Sequence, residues 1–522
     1  MSGASEVGDG VRLAELVAAL SLGIDLGFGQ PMEHVLRQCR IALRIAELMG
    51  MDTEERSTVY YSALLVNVAC HTDAHEQAKW YGDDIRLKST KYGHEPNSLS
   101  EVLAMIRGIG SGQAFPERLR TGLTFLANLP HVTTSITTHA RLAQQFARDL
   151  RLPEDVCDAV GSSYEWWNGK GWPGERAGES IPVAARVSTA AEYLEVAHRT
   201  HGVEAAVALA TKRSGRMFDP AVSAIVTTAP DEVFGAIDAT PSWRAVIEGE
   251  PSLTMRLDGE AFEEALAAIA DFVDLKSPFM VGHSRAVASL AADAGRAMGL
   301  DPPEIDVLRR AGLVQGFGRL GVSNSIWDKR GPLATGEWER VRMYPYLTER
   351  MLHQSESLAA IGRLAVTVRE RLDGSGYPRG VQGNSLPPAA RVLGAADAYQ
   401  AMREPRPHRE PLSTAAIERE LRSDVKAGRA DAAAVEAVLA AAGHQTPRRR
   451  EGVAGLTARE VEVLTLIAQG MSNRQIAERL VISPKTASNH IEHVYAKIGA
   501  TNRAAASLFA VHHGLLPLDR SR

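Results

Sequence analysis

Apolar residues recur at three- and four-residue spacing along almost the whole chain, and alternating runs of the strand type are nearly absent. The pattern predicts helix after helix from Val11 onward. Leu36, Cys39, Ile41, Ala42, Ile45 and Leu48 make one stripe, closed by Gly50. The stretch Leu456–Leu515 is the most explicit. Thr457 with Glu460 is a capping box, and Val461, Leu464, Ile467 and Ala468 share a face that stops at Gly470. Ser472 caps a second helix with Ile476, Ala477 and Leu480 as its stripe. Ser483 with Pro484 opens a third, whose apolar side is Ile491, Val494, Tyr495 and Ile498 and whose stop is Gly499. Thr501 is expected to start a fourth, running through Ala510. The fold class is therefore all-α.

A chain of 522 residues is too long for one core; at roughly 100–200 residues per domain it holds three or four. Residues 1–10 are small and polar and read as a disordered N-terminus. The net charge of −5 excludes a polycation as a whole. The C-terminal piece differs: Glu451–Arg522 has eight Lys/Arg against six Asp/Glu, and Arg448, Arg449 and Arg450 make 444–455 a basic linker. Three cysteines, Cys39, Cys70 and Cys157, suit a reducing compartment rather than a disulfide framework. No apolar run approaches a membrane span, and no signal sequence opens the chain. The expected location is the cytoplasm, with no membrane partner.

Two short helices joined through Leu480–Pro484 read as a helix-turn-helix, with the third helix entering the major groove. Its outward face carries Lys485, Thr486, Ser488, Asn489, Glu492, His493 and Lys497, side chains that bond phosphates and base edges. The motifs Leu456-Thr457-x-Arg459-Glu460, Ser472-Asn473-x-x-Ile476-Ala477, Ile482-Ser483-x-Lys485-Thr486 and Lys497-Ile498-Gly499 resemble the LuxR-type DNA-binding domain. That resemblance, over 456–517, implies double-stranded DNA as partner, contacts from Lys485, Thr486, Asn489 and Lys497, and a dimer contact through the fourth helix. Ala487 departs from the family's larger aliphatic residue. A homodimer on paired half-sites is expected.

The remaining chain repeats itself. Glu165-x-Trp167-Asn168-Gly169-Lys170-Gly171-Trp172-Pro173 matches Glu370-x-Leu372-Asp373-Gly374-Ser375-Gly376-Tyr377-Pro378, 205 positions on. Upstream the spacing is 249, from His34 to His283. About 44 extra residues therefore lie in the first copy between Asn67 and His139. With Ala395-Ala396-Asp397-Ala398-Tyr399 and Arg406-Pro407, each copy resembles an HD-GYP domain, a helical phosphohydrolase fold associated with cyclic di-GMP breakdown. The expected domains are 11–240 and 250–443, tandem HD-domain-like helical bundles ahead of the four-helix reader.

The resemblance implies metal-assisted phosphodiester hydrolysis, with His and carboxylate ligands converging on two or more metals. In the second copy the His-Asp pair aligns with Gln315-Gly316, the following Lys with Arg319, the next His with Tyr344 and the His-His with Val368-Arg369. His283 and Asp397 remain. In the first copy Val66-Asn67, Cys70 and Ser163-Tyr164 hold those places, with His34 and His139 kept and Glu192 where the late Asp would be. On this count the chain is expected to be no enzyme, with no metal in the second domain. The extra segment of the first copy brings Cys70, His71, Asp73, His75 and Glu76 together in sequence. His34, His71, Asp73, His75 and His139 are its candidate donors for a divalent metal or a small-molecule ligand. The expected function is a DNA-binding transcriptional regulator whose degenerate HD-GYP-like domains form a sensory and dimerising body, answering a small-molecule or protein signal. The alternatives are a cyclic di-GMP phosphodiesterase-like phosphohydrolase coupled to DNA binding, and a non-enzymatic interaction scaffold.

Overall fold

The computed structural model describes residues 10–92, 108–110, 115–239, 241–252, 255–443, 454 and 456–516. The sequence expectations for 1–10 and for the basic linker 444–455 fall outside those residues, except at Gly10 and Ala454. The all-α expectation holds. Among the described residues the strand content is one antiparallel pair, Val11–Arg12 with Arg256–Leu257, which ties the first residues of one repeat to those of the other.

The repeat is visible as matching helices. Leu13–Gly27 corresponds to Gly259–Asp274, His34–Leu48 to His283–Ala297, Thr53–Leu65 to Pro302–Val314, and Val183–His201 to Pro388–Arg403. The helix that opens at His34 buries its predicted stripe: Leu36, Cys39, Ile41, Ala42 and Ile45 are solvent-free. The glycine-bearing loops are built by close approach rather than by mobility. A side chain on Gly171 would stand 2.4 Å from the Trp166 nitrogen, and one on Gly376 2.4 Å from the Arg371 nitrogen. Buried Glu165 accepts from the amides of Gly174, Glu175 and Arg176, and Glu370 accepts from Arg379 and Val381 at the matching place.

Each opening helix packs on the other repeat. Gly23 lies against Leu320 and Met351. At the equivalent place in the second repeat, Phe272 stacks on Phe146 with ring centroids 4.2 Å apart, and its carbonyl accepts from His71 Nε2 at 2.6 Å. The exchange makes the two repeats one body with a continuous core. The extra segment forms Ala74–Tyr81, Asp84–Ser89 and the turn Thr90–Tyr92, followed by the long helix Phe115–Asp149. Asp84 fastens it across the seam. Its carboxylate pairs with Lys88 and with Lys276 of the second repeat, and accepts from Ser323 Oγ and the Asn324 amide. Burial opposes that charge, but the two ammonium groups outweigh it and hold the carboxyl below its ordinary range.

The reader folds around its own core in helices Ala458–Ala468, Asn473–Leu480, Pro484–Ile498 and Arg503–His512. The caps at Thr457, Ser472 and Ser483 are made as the sequence predicts, and Gly470 and Gly499 take positive φ. The fourth helix starts later than expected: Asn502 is its cap, accepting from the Ala505 amide at 2.7 Å. Ala487, the family departure, is fully buried in the reader core, so a small side chain is what the packing here requires.

Candidate functional site

The reader presents Lys485, Thr486, Asn489 and His493 to solvent on one side of its third helix. Ser488 is half-buried and accepts from Asn473 Nδ2 at 3.3 Å. Thr486 shares a hydroxyl contact with the cap Ser483 at 2.8 Å. Lys497 is exposed but its ammonium is paired with Glu460 at 2.7 Å, which ties the third helix to the first. The fourth helix, on which the dimer contact is expected, packs one side on the body. Leu508 joins the body core, and His512 lies 3.6 Å from Asp271 and 3.9 Å from Asp149. The cause is an apolar seam already formed by the two repeats, onto which Ala504, Ala505 and Leu508 close.

At the centre of the second repeat, Asp397 is solvent-free and surrounded by cations. Arg369 approaches its carboxylate at 2.8 Å, Arg319 at 3.9 Å and His283 Nε2 at 3.1 Å. Burial opposes ionisation, but Arg369 and His283 outweigh it, so the carboxyl titrates far below its usual range. His283 Nδ1 is held by Glu404 at 2.8 Å; burial works against its charge, and Glu404 and Asp397 raise its pKa despite that. Arg369 also donates from Nε to the Tyr344 hydroxyl at 3.0 Å, and Arg319 lies 5.2 Å above the Tyr344 ring. The positions that would carry metal donors therefore carry guanidinium and phenol. A dinuclear metal centre of the kind the resemblance implies does not fit these residues, because two ligands and two adjacent cations cannot hold it.

The first repeat solves the same problem with different atoms. Glu192, on the helix matching that of Asp397, bonds to Asn67 Nδ2, to Lys91 Nζ at 2.6 Å and to the Tyr92 hydroxyl at 2.7 Å. Cys70 and Tyr164 meet at 2.8 Å, on the positions of Arg319 and Arg369. Asn67 takes φ +64, a backbone setting Asn tolerates better than most residues.

The candidate donors of the extra segment do not converge, as alternation in sequence already discourages within a helical region. His71 serves the seam through the Phe272 carbonyl, and burial pushes its pKa down to about 3. His75 faces the second repeat at Asp328, 2.7 Å away. His34 Nδ1 is taken by Glu195, and among the described residues its Nε2 has no hydrogen-bond partner. Asp73 and His139 do meet, at 3.0 Å, with Cys70 beside them; burial opposes the imidazolium, and Asp73 and Cys70 nevertheless lift it to about 10. Among the described residues no group of three or more His, Cys, Asp or Glu is placed to hold a metal ion. Lys91, Tyr92, Glu195 and Glu404 were not singled out from sequence. Lys91 and Tyr92 lie in the segment without a repeat counterpart, so no alignment of the two copies points at them.

Residues 126–222 and 267–433 match the HD domain family, and residues 454–510 match the bacterial regulatory proteins of the luxR family. The 3'3'-cGAMP-specific phosphodiesterase 3 of Vibrio cholerae is 32% identical over 405 residues, which are 77% of this chain and 88% of that protein. The chain belongs to the HD domain family. A cyclic di-GMP phosphodiesterase of Thermotoga maritima is 28% identical over 31% of this HD-domain chain and 43% of its own length. The crystal structure of a cyclic GMP-AMP-specific phosphodiesterase of Vibrio cholerae superposes with a TM-score of 0.57 at 27% identity, covering 84% of this chain and 99% of that one. The comparisons overturn the expectation that the chain is no enzyme. That expectation counted missing ligands against an average motif, whereas a phosphodiesterase matches this chain over 77% of its length.

Proposed function

We propose that this protein is a cyclic-dinucleotide phosphodiesterase coupled to a DNA-binding reader, with the HD-domain body acting on a 3'3'-cyclic dinucleotide and the LuxR-type region binding duplex DNA. The observation that carries the enzymatic part is the identity to a 3'3'-cGAMP phosphodiesterase across both repeats rather than across one motif. In the reaction, water adds across one P–O bond and leaves a linear dinucleotide with a terminal phosphate and a freed hydroxyl. No step is assigned to a metal, because the residues around Asp397 and Glu192 do not fit one. What the chain's own groups offer near Asp397 is positive charge, Arg369 and Arg319, beside which a phosphodiester is electrostatically favoured.

The seat of the reader supports coupling. A cavity of about 270 Å³ opens where three parts meet, lined by Asp73, His75 and Trp80 of the first repeat, Pro278 of the second, and Arg503 and Ser507 of the reader. A ligand that changes the fit of these parts shifts the reader between docked and DNA-competent arrangements. DNA binding rests on Lys485, Thr486, Asn489 and His493, with Ser488 and Lys497 supporting the third helix, and a homodimer on paired half-sites remains part of the reading.

The test uses the full chain. 3'3'-cGAMP and cyclic di-GMP are incubated with it in Mn²⁺ or Mg²⁺ buffer, linear product is separated by chromatography, and DNA affinity is measured by anisotropy with and without nucleotide. Linear product and a changed DNA affinity are expected. Intact nucleotide in all buffers would overturn the enzymatic part, and a reader whose affinity ignores nucleotide would overturn the coupling. Lys485→Ala should weaken binding to every sequence and reduce the salt slope by about one, while Asn489→Ala should relax specificity by about 1–3 kcal/mol.

A further inference from the structure

The metal position of the first repeat is filled by the chain itself. Lys91 reaches it from the extra segment, and its ammonium donates to Glu192 at 2.6 Å and to Asn67 Oδ1 at 2.9 Å. Four aromatic rings surround that ammonium: Phe28 at 5.7 Å, Tyr92 at 5.6 Å, Tyr164 at 5.7 Å and Tyr193 at 5.5 Å from the nitrogen to each centroid. Rings at such distances turn their negative faces toward a cation, the arrangement that recognises ammonium ligands. Neither observation depends on the other, since the carboxylate and amide bind through hydrogen bonds and the rings through their quadrupoles. Of the two imidazoles kept in this repeat, His34 is buried and its Nε2 has no hydrogen-bond partner among the described residues, while the charge that a metal would bring to Glu192 is supplied by Lys91.

We infer that the first repeat contains an ammonium-binding cage, built from Glu192, Asn67 and four aromatic rings, and that Lys91 is its tethered occupant in the place of a metal. The inference does not rest on the phosphodiesterase reading. It makes the extra segment part of the site: the insertion after Asn67 both interrupts the motif and delivers the cation that the interruption requires. A divalent metal is a poor substitute there, because an aromatic wall offers no lone pairs for its coordination sphere.

Chemical rescue tests it in the full chain. Lys91→Ala empties the cage, and its melting midpoint falls by several degrees. Propylammonium chloride then raises that midpoint relative to sodium chloride at equal ionic strength, and leaves wild type unmoved. Lys91→Met keeps an unbranched side chain one atom shorter, without the charge, and falls similarly; adding Glu192→Gln recovers most of the loss, because the stranded carboxylate is gone. The Met and Gln pair keeps the test decisive if Lys91→Ala does not fold. A Lys91→Met protein that melts like wild type would overturn the inference. So would a Lys91→Ala protein rescued by Mn²⁺ or Zn²⁺ and not by propylammonium.

Discussion

The two repeats keep a carboxylate at the same place on the same helix, Glu192 in one and Asp397 in the other, and each meets it with a positive charge from a different source. In the second repeat Arg369 and Arg319 stand on the motif positions themselves. In the first those positions hold Tyr164 and Cys70, and the charge arrives from Lys91, outside the repeat. The difference teaches that the fold fixes where a buried charge must be neutralised and leaves open which residue does it. A buried carboxylate without a cation is costly, so loss of one partner has to be matched by gain of another.

The largest expected effect comes from removing each carboxylate. Asp397→Ala leaves Arg369, Arg319 and a His283 held by Glu404 without their common anion, and should cost about 3–5 kcal/mol. Glu192→Ala strands one ammonium, which keeps its aromatic cage and Asn67, and should cost about 1.5–3 kcal/mol. Denaturant melts of the two variants check the ranking; an equal or reversed order would break the comparison.

Much of this architecture was legible in the sequence, and the part that was not has a common cause. The reader's capping boxes and glycine stops involve contacts three or four residues apart, so local pattern suffices for them. The repeat was legible because Gly171 and Gly376 have no room for a side chain, which preserves the loop motif. Lys91 was hidden because its partners, Glu192 and Asn67, are 101 and 24 residues away and it has no counterpart in the other copy. His71 and His75 were assigned to a common site because they are near in sequence; the structure spends both on the seam, where Phe272 and Asp328 come from the second repeat. Counting motif ligands also argued against an enzyme, whereas the likeness to a phosphodiesterase over 77% of the chain points the other way.

A second expected effect sharpens the comparison at the seam. His71 and Leu320 occupy equivalent places, one bonded to the Phe272 carbonyl and the other packed on Gly23. Burial holds His71 neutral with a pKa of about 3. Because the folded value lies below the unfolded value of about 6.5, its contribution is complete above pH 6.5 and is lost as pH falls toward 3. Acid should therefore loosen the His71 side first. The stability difference between wild type and His71→Leu should shrink by about 3 kcal/mol between pH 6.5 and pH 4, measured by thermal melts across that range; a constant difference would mean that the imidazole titrates normally.

The smallest effect isolates a single hydroxyl. Asp25 and Asp274 end the two opening helices at equivalent positions, and each accepts from the first amides of the next helix, Val35 and Ser284. Burial raises both carboxyls, Asp25 to about 7 and Asp274 to about 6. Ser284 adds its hydroxyl to the second oxygen of Asp274 at 2.9 Å, whereas Val35 has none to give and Asp25 Oδ2 has no hydrogen-bond partner among the described residues. His283, the Ser284 amide and Arg319 all pull Asp274 down against burial, and the Ser284 hydroxyl, a hydrogen bond to the charged form, adds a smaller pull that Asp25 lacks. A folded pKa raised above the unfolded value means that the native state binds more protons, so stability falls as pH rises from about 4 through each folded value. Val35→Ser should move Asp25 part of the way toward Asp274, by roughly half a pKa unit, and shrink the stability loss between pH 4 and pH 8 by about 0.7 kcal/mol. Ser284→Ala should enlarge the corresponding loss at Asp274 by a similar amount. Packing lost with the valine methyls is the same at every pH and drops out of the difference. Carboxyl titration by NMR in the two variants reads the shifts directly, and Asp25 and Asp274 values that ignore both substitutions would mean that burial alone sets them.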